Sequence, residues 1–546
     1  MHRALRLEAC WLIAAAATAW PQAASQSSDK PAKPSTAVVE GKVVSQVNGS
    51  PLKKTTLTLR PNGMGRNVAT ETDDEGHFSF PKVDPGMYWL IGERTGYAQQ
   101  YFHGTSGTSY GAMIPLQAGD EVKDLVFKLI PNALISGRVL DEDGDPMARA
   151  QVTALHYMYR TSGKQLQGAG SATTGANGEY SMSVPPGRYM LMAMSTTAIM
   201  QGMTAQTAKP PNDAPEFAYS ATYYPNSSDE VGAASFEAAA GADLRGMDFH
   251  MAKVKTFRVR GRVPESTSAN VMLQLVPKGG STTSSSAPRI TRVQADKTFE
   301  FVGVVPGTYS VIANSPDGIS IAGQAVTVDD RHINGLSLAL VPMGALTGTV
   351  TIEGDDTISR NGILVGFDAF ENGSNPSAGV GEDGKFTIRY ILPDRYHPWV
   401  GYPPKNAYAK SIRYDGQDIK DGALDLTAGI TGPVEIVLSL TGVDLTGVVT
   451  DEDGKPFPGA TVVLVPNSDN YLMHYSMNTD YKGQFHMPAV RPGEYKALAF
   501  EDVIYLAWFD KEFLKPYMSK AVTLSVSESE KKALSLKVIP ATATRR

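Results

Sequence analysis

The residues that could do chemistry are few and scattered. The histidines after the first ten residues, His77, His103, His156, His250, His332, His397, His474 and His486, fall one or two to each hundred-residue stretch. None opens a His-x-x-Glu pair. A catalytic zinc needs three protein ligands and an open position, so these histidines are expected at the surface or at strand edges. Gly107-Thr108-Ser109-Tyr110-Gly111 matches the Gly-x-Ser-x-Gly string of a nucleophile elbow. That elbow works only on a sharp strand-to-helix turn, and here the flanks are a Gly/Ser loop and an alternating strand, so a loop is expected. The acidic runs Asp141-Glu142-Asp143-Gly144-Asp145 and Asp451-Glu452-Asp453-Gly454 lack the alternate ligand spacing and distal Glu of a calcium loop, and read as hairpin turns. Met190, Met192 and Met194 form a thioether row that could attract Cu(I). By alternation they lie opposite Tyr189, Leu191 and Ala193, and packing against the following loop or a neighbouring unit is the expected role. No catalytic residue, metal site or cofactor is predicted.

Aromatic segments remain. Gly96-Tyr97-Ala98-Gln99-Gln100-Tyr101-Phe102, Tyr219-Ser220-Ala221-Thr222-Tyr223-Tyr224-Pro225 and Gly401-Tyr402-Pro403-Pro404 each follow a strand. Rings with polar tips suit stacking on sugars or anchoring a protein, so Tyr101, Phe102, Tyr223, Tyr224 and Tyr402 are the candidate ligand-binding residues, expected to be partly exposed. The competing role is to close their own sandwich or fill a junction between units. Trp89, which alternates with Tyr88 and Leu90, is a candidate for such a junction.

The elements that would hold these residues repeat. Gly-x-Val opens an alternating strand five times, at Gly41, Gly137, Gly261, Gly348 and Gly447. A Gly-x-aromatic step followed by Pro-Gly-x-Tyr recurs later in each copy. It reads Gly76-His77-Phe78 with Pro85-Gly86-Met87-Tyr88, Gly178-Glu179-Tyr180 with Pro186-Gly187-Arg188-Tyr189, and Gly483-Gln484-Phe485 with Pro492-Gly493-Glu494-Tyr495. The third copy has Lys297 in place of the first Gly, and the fourth has Asp394 in place of the second. A positive φ at the first Gly and a type II turn at Pro-Gly are the expected backbone reasons. Short strands punctuated by Gly and Pro at this period predict an all-β tandem array of about five antiparallel seven-stranded sandwiches. The boundaries read 37–131, 132–254 with a long loop insertion, 255–342, 343–440 and 441–540, with a tail at 541–546. Interfaces between such units in one chain are usually small, so semi-independent unfolding is expected.

These motifs, with Asp-x-x-Gly-x-Pro at Asp141–Pro146 and Asp451–Pro456, resemble carboxypeptidase regulatory-like domains. The resemblance implies transthyretin-like modules of a carbohydrate-binding-like fold, similar in shape to B-type adhesin repeats, that fold, position and bind without catalytic residues. It is stronger in the first, second and fifth copies.

Residues 1–24 read as an export signal, with His2, Arg3 and Arg6 before an apolar run and small residues near 17–25, and 25–36 as a linker. Removing the signal removes Cys10, the only cysteine, so no disulfide or thiol chemistry is expected in the mature chain. A formal net charge of −6, with both signs interspersed, gives no footprint for nucleic acid, and no later apolar run is long enough for a transmembrane segment. The expectation is a periplasmic or secreted binding or scaffolding protein whose partner is a carbohydrate or an envelope protein. An accessory role to an envelope transporter or peptidase is the further alternative.

Overall fold

The computed structural model describes residues 36–541 except 105–109, 161–162, 196–215, 265–270, 278–288, 315–319, 322, 339–340, 343, 356, 371–373 and 469. Residues 1–35, where an export signal and linker are expected, Ser109 and the C-terminal tail after Ala541 lie outside the described residues. Five hydrophobic cores follow one another along the chain, spanning 37–129, 133–251, 257–338, 346–438 and 443–538. The first four lie between two sheets each, and the fifth lies within one connected seven-stranded sheet. In the first unit Ala37–Ser45 sits between His77–Val83 and Glu121–Leu129, facing a sheet built on Thr56–Pro61 and Gly86–Glu93.

One register explains why the repeat motifs travel together. Gly41 pairs with Phe78, Gly137 with Tyr180, Gly261 with Phe299, Gly348 with Phe386 and Gly447 with Phe485. Across the strand's other edge, Gly41, Gly261, Gly348 and Gly447 face Leu125, Leu336, Val434 and Leu534 in a parallel pairing that joins opening and closing strands. A Cβ at Gly447 would overlap the Leu534 carbonyl oxygen and the Phe485 ring, and Gly41, Gly261 and Gly348 are blocked in the same way. The opening glycine is therefore the seat over which the aromatic of the paired strand lies.

The second motif has a different cause from the one expected. Gly76, Gly178, Gly384 and Gly483 do take positive φ, and Lys297 takes it at 63° in the deviating copy. Pro-Gly forms no type II turn: Gly307 and Gly493 stand at φ 154°, and Gly86 and Gly187 are not at positive φ. The motif instead makes a tyrosine corner in every unit. The hydroxyls of Tyr88, Tyr189, Tyr309, Tyr396 and Tyr495 donate to the carbonyl four residues upstream at 2.7–3.0 Å. The glycine before the tyrosine strand leaves space for that ring, which would sit within 3.2–3.4 Å of a Cβ at Gly86 or Gly187.

Two features cross the expected boundaries. Glu216–Tyr219, within the second stretch, pairs with Lys253–Arg262 of the third unit. Its Glu216 reaches the nearly buried Arg258 at 2.8 Å, and Glu300 holds the same guanidinium at 3.1 Å. In the fifth unit the chain leaves Gly493–Phe500 into a short helical insert, Ala507–Phe509, Lys511–Leu514 and Lys515–Lys520, before Val522–Val526. Asp510 caps it, accepting from the amides of Glu512 at 2.9 Å and Phe513 at 3.4 Å. Trp508, Leu514 and Tyr517 of the insert form a sixth apolar cluster with Val463, Phe500 and Tyr159, the last from the second unit.

The fifth unit thus touches more than its sequence neighbour. Against the fourth it places Leu472 on that core, and the Gly442 amide donates to the Asn406 carbonyl at 3.2 Å. Against the first it places Tyr481, whose amide donates to the Met113 carbonyl at 3.1 Å. No helix among the described residues is long and apolar enough to cross a membrane.

Candidate functional site

The contact of first and last units encloses a cleft of about 480 Å³. Trp89 reaches it from the tyrosine-corner strand Gly86–Glu93, pointing away from the core that takes Tyr88 and Leu90. Tyr110 approaches from the loop before Met113–Leu116, and Tyr505 and Trp508 come from the insert of the fifth unit. With Tyr101 behind them the rings form a continuous row. Trp89 to Tyr101 is 5.7 Å between centroids, Trp89 to Tyr110 5.8 Å, Tyr110 to Tyr505 6.2 Å and Tyr505 to Trp508 5.5 Å. The contacts are edge-to-face or tilted, the geometry that ring quadrupoles favour.

Polar groups share the walls. Arg60 donates to the Tyr101 hydroxyl at 2.7 Å, and its guanidinium lies 5.4 Å from that ring's centroid. Asn478, on Tyr475–Asn478, donates to the Gly459 carbonyl at 3.1 Å and to Thr461 Oγ1 at 3.3 Å. Asn62 and Ser476 also line the cleft. Burial, reinforced by Tyr110 and the Asp368 carboxylate, pushes the Tyr505 phenol above its ordinary value, so it stays a neutral donor.

A second cleft, about 610 Å³, opens between the second and fifth units, with Tyr157, Lys164 and Arg188 on one side and Ile504 and Phe513 on the other. His156 lines it, and burial holds its imidazole below the ordinary value. Among the described residues no group of three or more His, Cys, Asp or Glu side chains gathers where it could hold a metal.

The predicted ligand residues do not form one surface. Tyr101 stands in the aromatic row, half-buried. Phe102, expected at the surface, is only 3% exposed and packs on Phe127, because its backbone turns it into the first core as a lid. Tyr223 is half-buried over Met190 and Met192, and Tyr224 packs against Phe249 of the second core. Tyr402 is 77% exposed and stands apart in the fourth unit. The methionine row faces away from Tyr189 and Leu191, as alternation predicts, and packs with Leu155, Leu166, Ala221 and Tyr223. His397, expected at the surface, is buried against Phe370 at 4.1 Å. The carboxylates of Asp141 and Asp451 accept from amides of their own turns, as hairpin-turn residues do. Tyr110, Tyr505 and Asn62 were not legible as site residues. The one signal available was the aromatic density of Tyr505-Leu506-Ala507-Trp508-Phe509.

Sandwich units with a shared tyrosine corner, a seated aromatic and a ring-lined junction define a multi-module β-sandwich protein. Segments 38–123, 134–209 and 444–502 match the family model of the carboxypeptidase regulatory-like domain. The matched segments fall in the first, second and fifth repeats. A search of curated proteins found no match. Among solved structures it is similar to the Bacillus anthracis TIE protein, at 11% identity over 75% of this chain and 74% of that one, with a TM-score of 0.15. It is also similar to BcpA, the major pilin subunit of Bacillus cereus, at 11% identity over 55% of this chain and 99% of that one, TM-score 0.14. GBS52, the minor pilin of Streptococcus agalactiae, matches at 9% identity over 42% and 99%, TM-score 0.22.

Proposed function

We propose that this chain is an exported, non-catalytic β-sandwich scaffold that binds its ligand outside the cytoplasm. The observation that carries this reading is the ring-lined cleft at the junction of the first and last units. Its walls are aromatic, amide, hydroxyl and guanidinium groups, a set that recognises by stacking and hydrogen bonding. The five units each have their own core, and we take the boundaries near 131, 254, 342 and 440 as those of folding modules, with Glu216–Tyr219 lent by the second to the third. The charged, apolar, small-residue order of residues 1–25 supports export.

The test has two arms. Fractionation and mass spectrometry should find the protein in the envelope or medium with a new N-terminus at roughly residue 19 to 28. Purified protein should leave peptide, ester and glycan substrates intact. An intact Met1 in the cytoplasm, or a turnover abolished by Ser109→Ala, would contradict the reading.

A further inference from the structure

The cleft between first and last units holds more chemistry than a packing junction requires. Rings that serve only to glue two surfaces lose their exposure, yet Tyr110 and Tyr505 meet edge to face and still keep 47% and 41% of their surface open. Trp89 continues the same row from the first unit. Exposed aromatic surface of this kind attracts flat, C–H-rich surfaces carrying partial positive charge.

The polar groups beside the rings narrow the choice. Asn62 and Arg60 are planar groups with forked donors or acceptors, matched to pairs of neighbouring hydroxyls or to a carboxylate, and Asn478, whose amide hydrogens are both engaged, offers its carbonyl oxygen to a hydroxyl. Two of them are held in place from behind, Arg60 by the Tyr101 hydroxyl and Asn478 by Gly459 and Thr461. Preset groups of this kind lower the ordering cost of binding. No carboxylate is among the described residues lining the cleft, which disfavours a cationic ligand and accommodates a neutral or acidic one. Its volume lies within the range of small-molecule sites, roughly 300–1,000 Å³, and leaves room for a short stretch of sugar rings.

We propose that this cleft is an oligosaccharide site, in which pyranose faces stack on Trp89, Tyr110 and Tyr505 while Asn62 and Arg60 take the hydroxyls or a uronate carboxylate and the Asn478 carbonyl oxygen accepts from a hydroxyl. The proposal rests on the binding reading above and adds the ligand class. Because the rings come from both ends of the chain, the site exists only while the first and last units are in contact, so an isolated unit lacks half of it.

The experiment uses the full mature chain, titrated by calorimetry and tryptophan fluorescence with hexasaccharides of glucose, xylose, mannose and galacturonic acid, and separately with a polyproline decapeptide. At least one hexasaccharide should bind and change the tryptophan emission. Tyr110→Ala and Asn62→Ala should each weaken it by roughly tenfold or more. Asn62 is exposed, so its truncation leaves the junction packed and separates a lost contact from a loosened interface. Binding by no saccharide, wild-type affinity in both variants, or binding of the polyproline peptide alone would overturn the proposal. An exported protein that ignores every saccharide would lose this ligand and keep the scaffold reading. A cytoplasmic protein with Met1 intact would lose the scaffold reading whatever it bound.

Discussion

At the scale of single residues, each unit depends on a glycine that must stay bare and a tyrosine that must keep its hydroxyl. Tyr495 is fully buried and donates to the Arg491 carbonyl at 2.7 Å. Tyr495→Phe keeps the ring and orphans that carbonyl, and should destabilise the fifth unit by about 1–2 kcal/mol. Tyr495→Ala removes the ring as well and should cost about 3–5 kcal/mol. Gly447→Ala should be at least as damaging as the phenylalanine change, because the new methyl meets the Leu534 carbonyl and the Phe485 ring, and a strand must move to admit it. Denaturant unfolding of the three variants checks the order. If Gly447→Ala proved neutral, the seat we assign to the opening glycine would be wrong. These positions were legible in the sequence as a pattern, since Gly-x-Val, Gly-x-aromatic and Pro-Gly-x-Tyr recur. The reason for two of them was not, because a ring crossing a neighbouring strand and a hydroxyl reaching back four residues are contacts that turn chemistry alone does not show.

Among elements, the lent strand Glu216–Tyr219 makes the clearest electrostatic test. Arg258 is nearly buried between Glu216 and Glu300, with Arg260 also on Glu300 at 2.8 Å. Burial pushes the Glu300 carboxyl up, but the hydrogen bonds and charges of Arg260 and Arg258 outweigh it and hold the carboxyl below its ordinary value. A carboxyl held low when folded contributes stability that is present above the ordinary carboxylate range and is lost as pH falls through its folded value. Melting curves should therefore show wild type losing more stability between neutral and acid pH than Glu300→Gln does. Parallel pH profiles would refute the assignment. Glu216→Ala leaves Arg258 with one partner, and its cost should stay below the roughly 3–5 kcal/mol of a fully unpaired buried charge. The strands themselves were readable from alternation and Gly/Pro punctuation, but this strand's partner was not, since nothing in Glu216-Phe217-Ala218-Tyr219 says which sheet edge it joins.

For the whole molecule, the expectation of loosely joined units gives way to a fifth unit that packs on the first, second and fourth. Tyr159 of the second unit is buried in the cluster of the fifth unit's insert, 6.0 Å from Phe513. Tyr159→Ala should lower the melting of the fifth unit along with the second, which calorimetry can resolve. Damage confined to the second unit would indicate that the contact carries little energy. The insert lowers the predictability of the site for a physical reason. Junctions between units are built from outward-facing residues, and the repeat pattern records only the inward ones, so Trp89 could be nominated for a junction while Tyr505, which lines the same cleft from the fifth unit, could not. Everything proposed for the cleft depends on the first and fifth units meeting in solution. Small-angle scattering of the mature chain measures this directly. A fifth unit packed on the first, second and fourth should give a radius of gyration near that of a compact chain of this length, roughly 24–30 Å, whereas units strung end to end would give about twice that, which would contradict the packing.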